Sequence, residues 1–156
     1  MHLEDGQAHY AAVDGFLFLS TSGWTDARYV CLRQALMDAP RPVVIANADL
    51  AAPRETGFSP EPGHIGHHLL DDLGGDIRFF GKPFPEVYTM VEASLAGIKR
   101  NRIAMVGDTL HTDIVGAAAQ GWRTVLATND GMFAGHDVGE FCQASGVKPD
   151  WQVSRI

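Results

Sequence analysis

The stretch Val106-Gly107-Asp108-Thr109-Leu110-His111-Thr112-Asp113 decides the fold. An apolar run ends in one carboxylate, and a second follows where the first turn of a helix is predicted. In open parallel α/β sheets the carboxyl ends of the strands form one edge, and ligands bind there. Two carboxylates at that edge, with no basic residue between them, suit a hard cation such as Mg2+, which takes oxygen ligands and keeps several waters. The alternative is that Asp113 caps the helix and Asp108 opens a turn, roles that Asp often fills. The pair alone leaves both readings open.

On both sides of this stretch, short β-rich runs alternate with segments of helical period, the pattern of a parallel α/β architecture. Strands are predicted at residues 15–19, 42–46, 77–80, 102–106, 123–127 and 150–153, mostly as continuous apolar runs of the kind covered on both faces. Helices are predicted at residues 26–38, with Thr25 as N-cap, and at 85–96, with Pro85 in its first turn and Gly97 as its stop. A third, at 112–120, is rich in small residues and ends at Gly121. Residues 49–63, with Pro53, Gly57, Pro60, Pro62 and Gly63, show no convincing period and read as an extended connection. The domain boundary is placed at Gly74-Gly75, which divides residues 1–75 from 76–156.

The chain has 156 residues, 46% of them apolar and 20% charged, enough for one or two units with a packed core. Twelve Lys and Arg against nineteen Asp and Glu give a formal charge of 12 − 19 = −7. No basic stripe exists to neutralise successive phosphates, so nucleic acid is not an expected partner. The longest apolar run, around residues 16–19, is far short of the ~20 residues that a membrane helix needs. No membrane association and a cytoplasmic location are therefore expected. Cys31 and Cys142 are not spaced as a redox or zinc pair.

A second feature is Phe80-Gly81-Lys82-Pro83-Phe84-Pro85, which sets one lysine at the end of another strand, just before a helix. A lysine there is ordinarily a solvated residue. Beside metal-bound carboxylates it is also the fixed positive charge that phosphoryl chemistry requires.

Gly81-Lys82-Pro83, followed by Val106-Gly107-Asp108-Thr109 and Asp113, resembles the third and fourth motifs of the haloacid dehalogenase-like (HAD-like) hydrolase superfamily, in their order. Residues 45–49 (Ile-Ala-Asn-Ala-Asp) and 58–66 (Phe-Ser-Pro-Glu-Pro-Gly-His-Ile-Gly) resemble the subclass with a large α/β cap, which includes sugar-phosphate, 4-nitrophenyl-phosphate and pyridoxal-phosphate phosphatases. The resemblance implies an α/β fold: a Rossmann-like parallel sheet forming the C-terminal half of a HAD-like core at 76–156, preceded by most of an α/β cap at 1–75. It further implies that Lys82 binds the phosphate, that Asp108 and Asp113 serve an Mg2+ site, and that Asn47 and Asp49 of the cap lie near the substrate. Gly107, Thr109 and Asn129 would line the site. The substrate would be a small phosphorylated metabolite, hydrolysed through an aspartyl-phosphate.

The family's first motif, a strand ending in Asp-x-Asp, occurs nowhere in the 156 residues; Val13-Asp14-Gly15-Phe16 has one carboxylate and precedes a strand. The chain is thus expected to be the C-terminal part of a larger hydrolase. Self-association, or association with the missing N-terminal half, would cover the sheet left open. The alternative is a catalytically inactive fragment that keeps an anion- or metal-binding site. A receiver-type regulator would need an acidic pair at the end of an early strand, and residues 16–19 offer none. His64, His67, His68 and Asp71 recur at i, i+3, i+4 and i+7, a spacing used by zinc sites, but no second cluster closes a tetrahedral set. They read first as part of a helix after the cap loop.

Overall fold

The computed structural model describes residues 6–156; the first five residues of the expected cap portion lie outside the described residues. The first elements in chain order are α1 (Gln7–Ala11), β1 (Phe16–Phe18), α2 (Asp26–Asp38), β2 (Val43–Ile45), β3 (Ala51–Arg54), β4 (Gly57–Pro60), α3 (Pro62–Leu73) and β5 (Ile77–Phe79). They are followed by α4 (Pro85–Ser94), β6 (Ala104–Gly107), α5 (Val115–Ala119), β7 (Arg123–Ala127), α6 (Val138–Ser145) and β8 (Trp151–Val153). Two compact units result, one from Met1–Ala51 and Pro60–Phe80, the other from Ala52–Ser59 and Gly81–Ile156. The architecture is α/β with parallel sheets, as in Rossmann-like HAD folds.

The first unit is built on a three-stranded parallel sheet in the order β1-β2-β5, with Phe16 opposite Val43 and Val43 opposite Ile77. Because β5 pairs with β2, the division falls after Phe80 and not at Gly74-Gly75. Those two glycines instead make the turn from α3 into β5, at φ of 64° and 90°. α2 begins where Thr25 Oγ1 accepts a hydrogen bond from the Arg28 amide at 3.3 Å, which satisfies one of the free donors at its start. Leu32, Val43, Ile45 and Leu69 are fully buried between helices and sheet. α3 lies close over the sheet at Gly66, where a Cβ would come within 2.8 Å of Phe79. Arg41 donates to the carbonyls of Tyr10, Val13 and Ala35 at 2.7–2.8 Å, joining the end of α1, the approach to β1 and the end of α2.

The second unit carries the parallel sheet β6-β7-β8, with Val106 opposite Val125 and Val125 opposite Trp151. One apolar cluster joins Leu110, Ile114, Leu126, Phe133 and Val138; another joins Tyr88, Ile103, Ala117 and Trp122. Val106 and Trp151 are exposed, so the double coverage expected of apolar strands is absent at these positions. The helix expected at 112–120 starts earlier and in two pieces, a wide π turn over Leu110–Ile114 and then α5. Residues 49–63, expected as an extended connection, contain the two-stranded sheet β3-β4 and the first two residues of α3. These strands span four residues each, carry Pro53 and Pro60, and lack apolar alternation, so no two-residue period marks them.

Candidate active site

β6 ends at Gly107 and delivers Asp108 at the carboxyl end of the second unit's sheet. Asp108 Oδ2 accepts a hydrogen bond from the Met132 amide at 3.0 Å. The chain turns there through Gly131 at φ 75°, and a Cβ on Gly131 would collide with the Asp108 carboxylate. A glycine is thus required both by conformation and by space. Among the described residues, Asp108 Oδ1 has no protein partner.

Asp113 is 2% exposed, and both of its oxygens are engaged. Oδ1 accepts from Lys82 Nζ at 2.5 Å. Oδ2 accepts from the Asp108 amide at 3.1 Å, the Thr109 amide at 3.2 Å and Thr109 Oγ1 at 2.7 Å. The π turn makes this closure possible by folding Asp113 back over the end of β6, and Gly107 leaves the space, since a Cβ there would strike the carboxylate. π turns are frequent at functional sites. Thr112 Oγ1 donates to Thr109 Oγ1 at 3.0 Å, so a line of buried hydroxyls ends on the Asp113 carboxylate. Asp113 was expected to support a metal site through its waters or from behind the ligand; in this arrangement its Oδ1 is engaged by Lys82 and its Oδ2 by three donors.

Lys82 reaches Asp113 by a different route from the expected one. The strand before it, β5, belongs to the first unit's sheet, so Lys82 is not at the end of a neighbouring strand of β6. Its place is set by α4, which starts at Pro85 with Glu86 in its first turn. Tyr88 of α4 donates to the Thr112 carbonyl at 3.1 Å, and a Cβ on Gly116 would collide with the Tyr88 ring and approach Pro83 Cα at 2.9 Å. The docking of α4 on α5 therefore carries the Lys82-Pro83 segment against the π turn. Burial first, and the Asp113 charge second, push the Tyr88 hydroxyl up to about 12.

The structure brings Lys82, Gly107, Asp108, Thr109 and Asp113 together within the second unit. Asn129 is exposed after β7, where its amide donates to the Ser154 carbonyl at 2.9 Å. His111 projects from the π turn as an exposed residue. Asn47 and Asp49 belong to the first unit, in the loop after β2; Asn47 Oδ1 accepts from the Asp49 amide at 3.0 Å, and Asp49 Oδ1 is buried without a hydrogen-bond partner. Sequence reasoning missed the Met132 amide, Tyr88 and Thr112. Asn129-Asp130-Gly131, a turn signal directly after a strand, was the available cue for the first; Tyr88 and Thr112 read simply as core.

Chemically, the site joins an ammonium whose side chain is 37% exposed to a carboxylate oxygen that no donor among the described residues uses. The ammonium can hold an anion. The Asp108 oxygen is the donor type that Mg2+ selects, and Mg2+ is commonly held by one or two carboxylates plus water and substrate phosphate oxygens. The donor set fits such an ion with Asp108 as its protein ligand.

Residues 79–155 match the HAD-hydrolase-like family. The chain is 32% identical to a D-glycerol 3-phosphate phosphatase of Mycobacterium tuberculosis, over 85% of this chain and 42% of that protein. It is 35% identical to an acid sugar phosphatase of Staphylococcus aureus, over 53% of this chain and 31% of that protein. The chain thus spans less than half the length of these curated relatives. Among solved structures, a possible sugar phosphatase of the HAD superfamily from Cytophaga hutchinsonii superposes with a TM-score of 0.78 at 24% identity, covering 95% of this chain and 54% of that one. A p-nitrophenyl phosphatase from Archaeoglobus fulgidus gives 0.73 at 22% identity, over 94% and 55%. These two likenesses concern the fold.

Proposed function

This chain belongs to the HAD-like hydrolases, and on that premise we propose that it carries the phosphate- and metal-binding half of an Mg2+-dependent phosphatase acting on small phosphorylated metabolites. The observation that carries the reading is the Lys82–Asp113 pair at 2.5 Å, held at the end of β6 next to the open Asp108 oxygen. Lys82 binds a phosphoryl oxygen and offsets its charge; Asp113 holds the ammonium in place; Asp108 is the metal's carboxylate. The chemistry Mg2+ supplies when bound is neutralisation of charge on the phosphoryl oxygens. The first unit forms most of the cap in this reading, and Asn47 and Asp49 contact the substrate. The names of the curated relatives, a D-glycerol 3-phosphate phosphatase and an acid sugar phosphatase, support a small polyol or sugar phosphate.

The nucleophile of such a reaction is an Asp carboxylate that becomes an aspartyl-phosphate, assisted by a second Asp as acid and base. No Asp-x-Asp is present in the 156 residues. That observation favours a second reading, in which the chain works as an anion- and metal-binding module without turnover. The test is phosphate release from 4-nitrophenyl phosphate with Mg2+. The chain alone is expected to stay at background, and the chain joined to an N-terminal half bearing Asp-x-Asp is expected to turn over in a Lys82-dependent manner. Lys82-dependent turnover by the 156 residues alone would show that the nucleophile lies elsewhere in this sequence, with Asp14 the first residue to replace.

A further inference from the structure

α3 carries three histidines, and the structure separates them. His67 is turned to the sheet side, its ring stacked on Phe79 with centroids 4.5 Å apart. His64 and His68, one helical turn apart and both exposed, bring their rings together, with centroids 4.6 Å apart and planes tilted by 40°. His68 also meets the Tyr29 ring edge-on at 6.4 Å. Tyr29 in turn donates its hydroxyl to Asp72 Oδ2 at 2.7 Å, and Arg33 approaches the same oxygen at 3.3 Å. The carboxylate one turn beyond His68 is therefore occupied. Among the described residues, neither the His64 nor the His68 ring has a hydrogen-bond partner in the protein.

From this we infer that His64 and His68 form a two-histidine chelate for a borderline divalent cation such as Zn2+, Ni2+ or Cu2+. Imidazole nitrogen suits these ions, whereas the oxygen site proposed at Asp108 suits Mg2+, so the two sites differ in chemistry and the inference does not depend on the proposed function. Side chains at i and i+4 share one helix face, and a single ion can accept a nitrogen from each at the usual ~2.0–2.1 Å. Once the first imidazole is bound, the second binds intramolecularly at a high effective concentration, which makes the pair a better ligand than either ring alone. No group of three or more His, Cys, Asp or Glu side chains among the described residues is arranged to hold a metal. Water therefore completes the coordination shell, and Asp71, part of the spacing seen in the sequence, is not a ligand. An ion across this turn of α3 would favour the folded helix over the unfolded chain.

The test is calorimetric titration of the whole chain with Zn2+ alone at neutral pH, beside the variants His64→Ala, His68→Ala and His67→Ala. About one Zn2+ per chain is expected. Its affinity should fall at least about tenfold in His64→Ala and in His68→Ala, and stay unchanged in His67→Ala. Circular dichroism of each variant checks the helix; His64 is exposed and outside the Tyr29 contact, so His64→Ala decides the question if His68→Ala disturbs the fold. Unchanged affinity in His64→Ala would place the ion on other donors and overturn the site. An equal loss in His67→Ala, or no Zn2+ binding by the unaltered chain, would do the same.

Discussion

Lys82 Nζ donates to Asp113 Oδ1 at 2.5 Å, joining residues 31 apart, and the two ends of the bond sit in different surroundings: the Asp113 side chain is 3% exposed, that of Lys82 37%. Replacing Asp113 by Ala removes an acceptor from the ammonium, two amides and the Thr109 hydroxyl at once. Replacing Lys82 by Met leaves the carboxylate three donors. Asp113→Ala should therefore cost about 3 kcal/mol of unfolding free energy and Lys82→Met about 1 kcal/mol, read by urea denaturation. Equal costs, or the reverse order, would mean that the carboxylate is not the organising member of the pair.

The hydroxyls behind Asp113 have a fixed sense. An ionised carboxylate only accepts, so the single proton of Thr109 Oγ1 points at Asp113 Oδ2, and Thr109 Oγ1 receives the proton of Thr112. Thr109→Val removes a donor from a charge and should cost about 2 kcal/mol, whereas Thr112→Val loses a neutral bond worth about 1 kcal/mol. Thr109→Ser should recover most of the loss. Identical thermal denaturation of Thr109→Val and Thr109→Ser would remove the hydroxyl from this role.

The strands and the principal helix of this fold could be read from sequence because their signals are local. Apolar runs at 16–18, 43–45, 104–107 and 123–127 are bounded by turn residues, and α2 is announced by Thr25 and by its periodic apolar residues. What could not be read depends on tertiary geometry. A π turn over Leu110–Ile114 differs from an α turn by one residue in its hydrogen-bond span, which side-chain pattern does not encode. The membership of Ile77–Phe79 in the first sheet follows from its pairing with β2, not from its composition. Lys82 was expected beside the carboxylates on an argument from neighbouring strands; α4 packing, through Tyr88 and Gly116, is what places it there. α1 and α6, of five and eight residues, are too short to show a period.

Two glycines at the site can be tested by their missing Cβ atoms. At Gly107 and Gly131 a methyl group would collide with the carboxylates of Asp113 and Asp108 respectively, whereas Gly146, at positive φ like Gly131, has open space around it. Gly146→Ala should lose only the backbone cost, about 1 kcal/mol, with ligand binding intact. Gly107→Ala and Gly131→Ala should lose about 1–3 kcal/mol through overpacking and also weaken Mg2+ and phosphate binding. Intact binding in both variants would show that the carboxylate positions do not matter to the site.

Acid should loosen the second unit through Asp150. The Thr124 amide foremost, then the Thr124 hydroxyl and Arg123, hold the Asp150 carboxyl below its ordinary 3.8. A depressed folded-state value contributes stability that is present above the unfolded value and lost as pH falls through the folded one. Asp150→Asn should therefore be less stable than the unaltered chain at neutral pH, and the gap should narrow below about pH 4, as measured by thermal denaturation across that range. A gap independent of pH would assign the loss to geometry and not to charge.

The most direct test of the central claim, that Lys82 and Asp108 form the phosphate and metal halves of one site, is calorimetric titration of the chain with orthophosphate in the presence and absence of Mg2+. Saturable binding that Mg2+ strengthens is expected for the unaltered chain. Lys82→Ala should weaken phosphate binding by about tenfold or more, and Asp108→Asn should abolish the Mg2+ enhancement while leaving weak phosphate binding in place. The same phosphate affinity and the same Mg2+ enhancement in all three proteins would contradict the account.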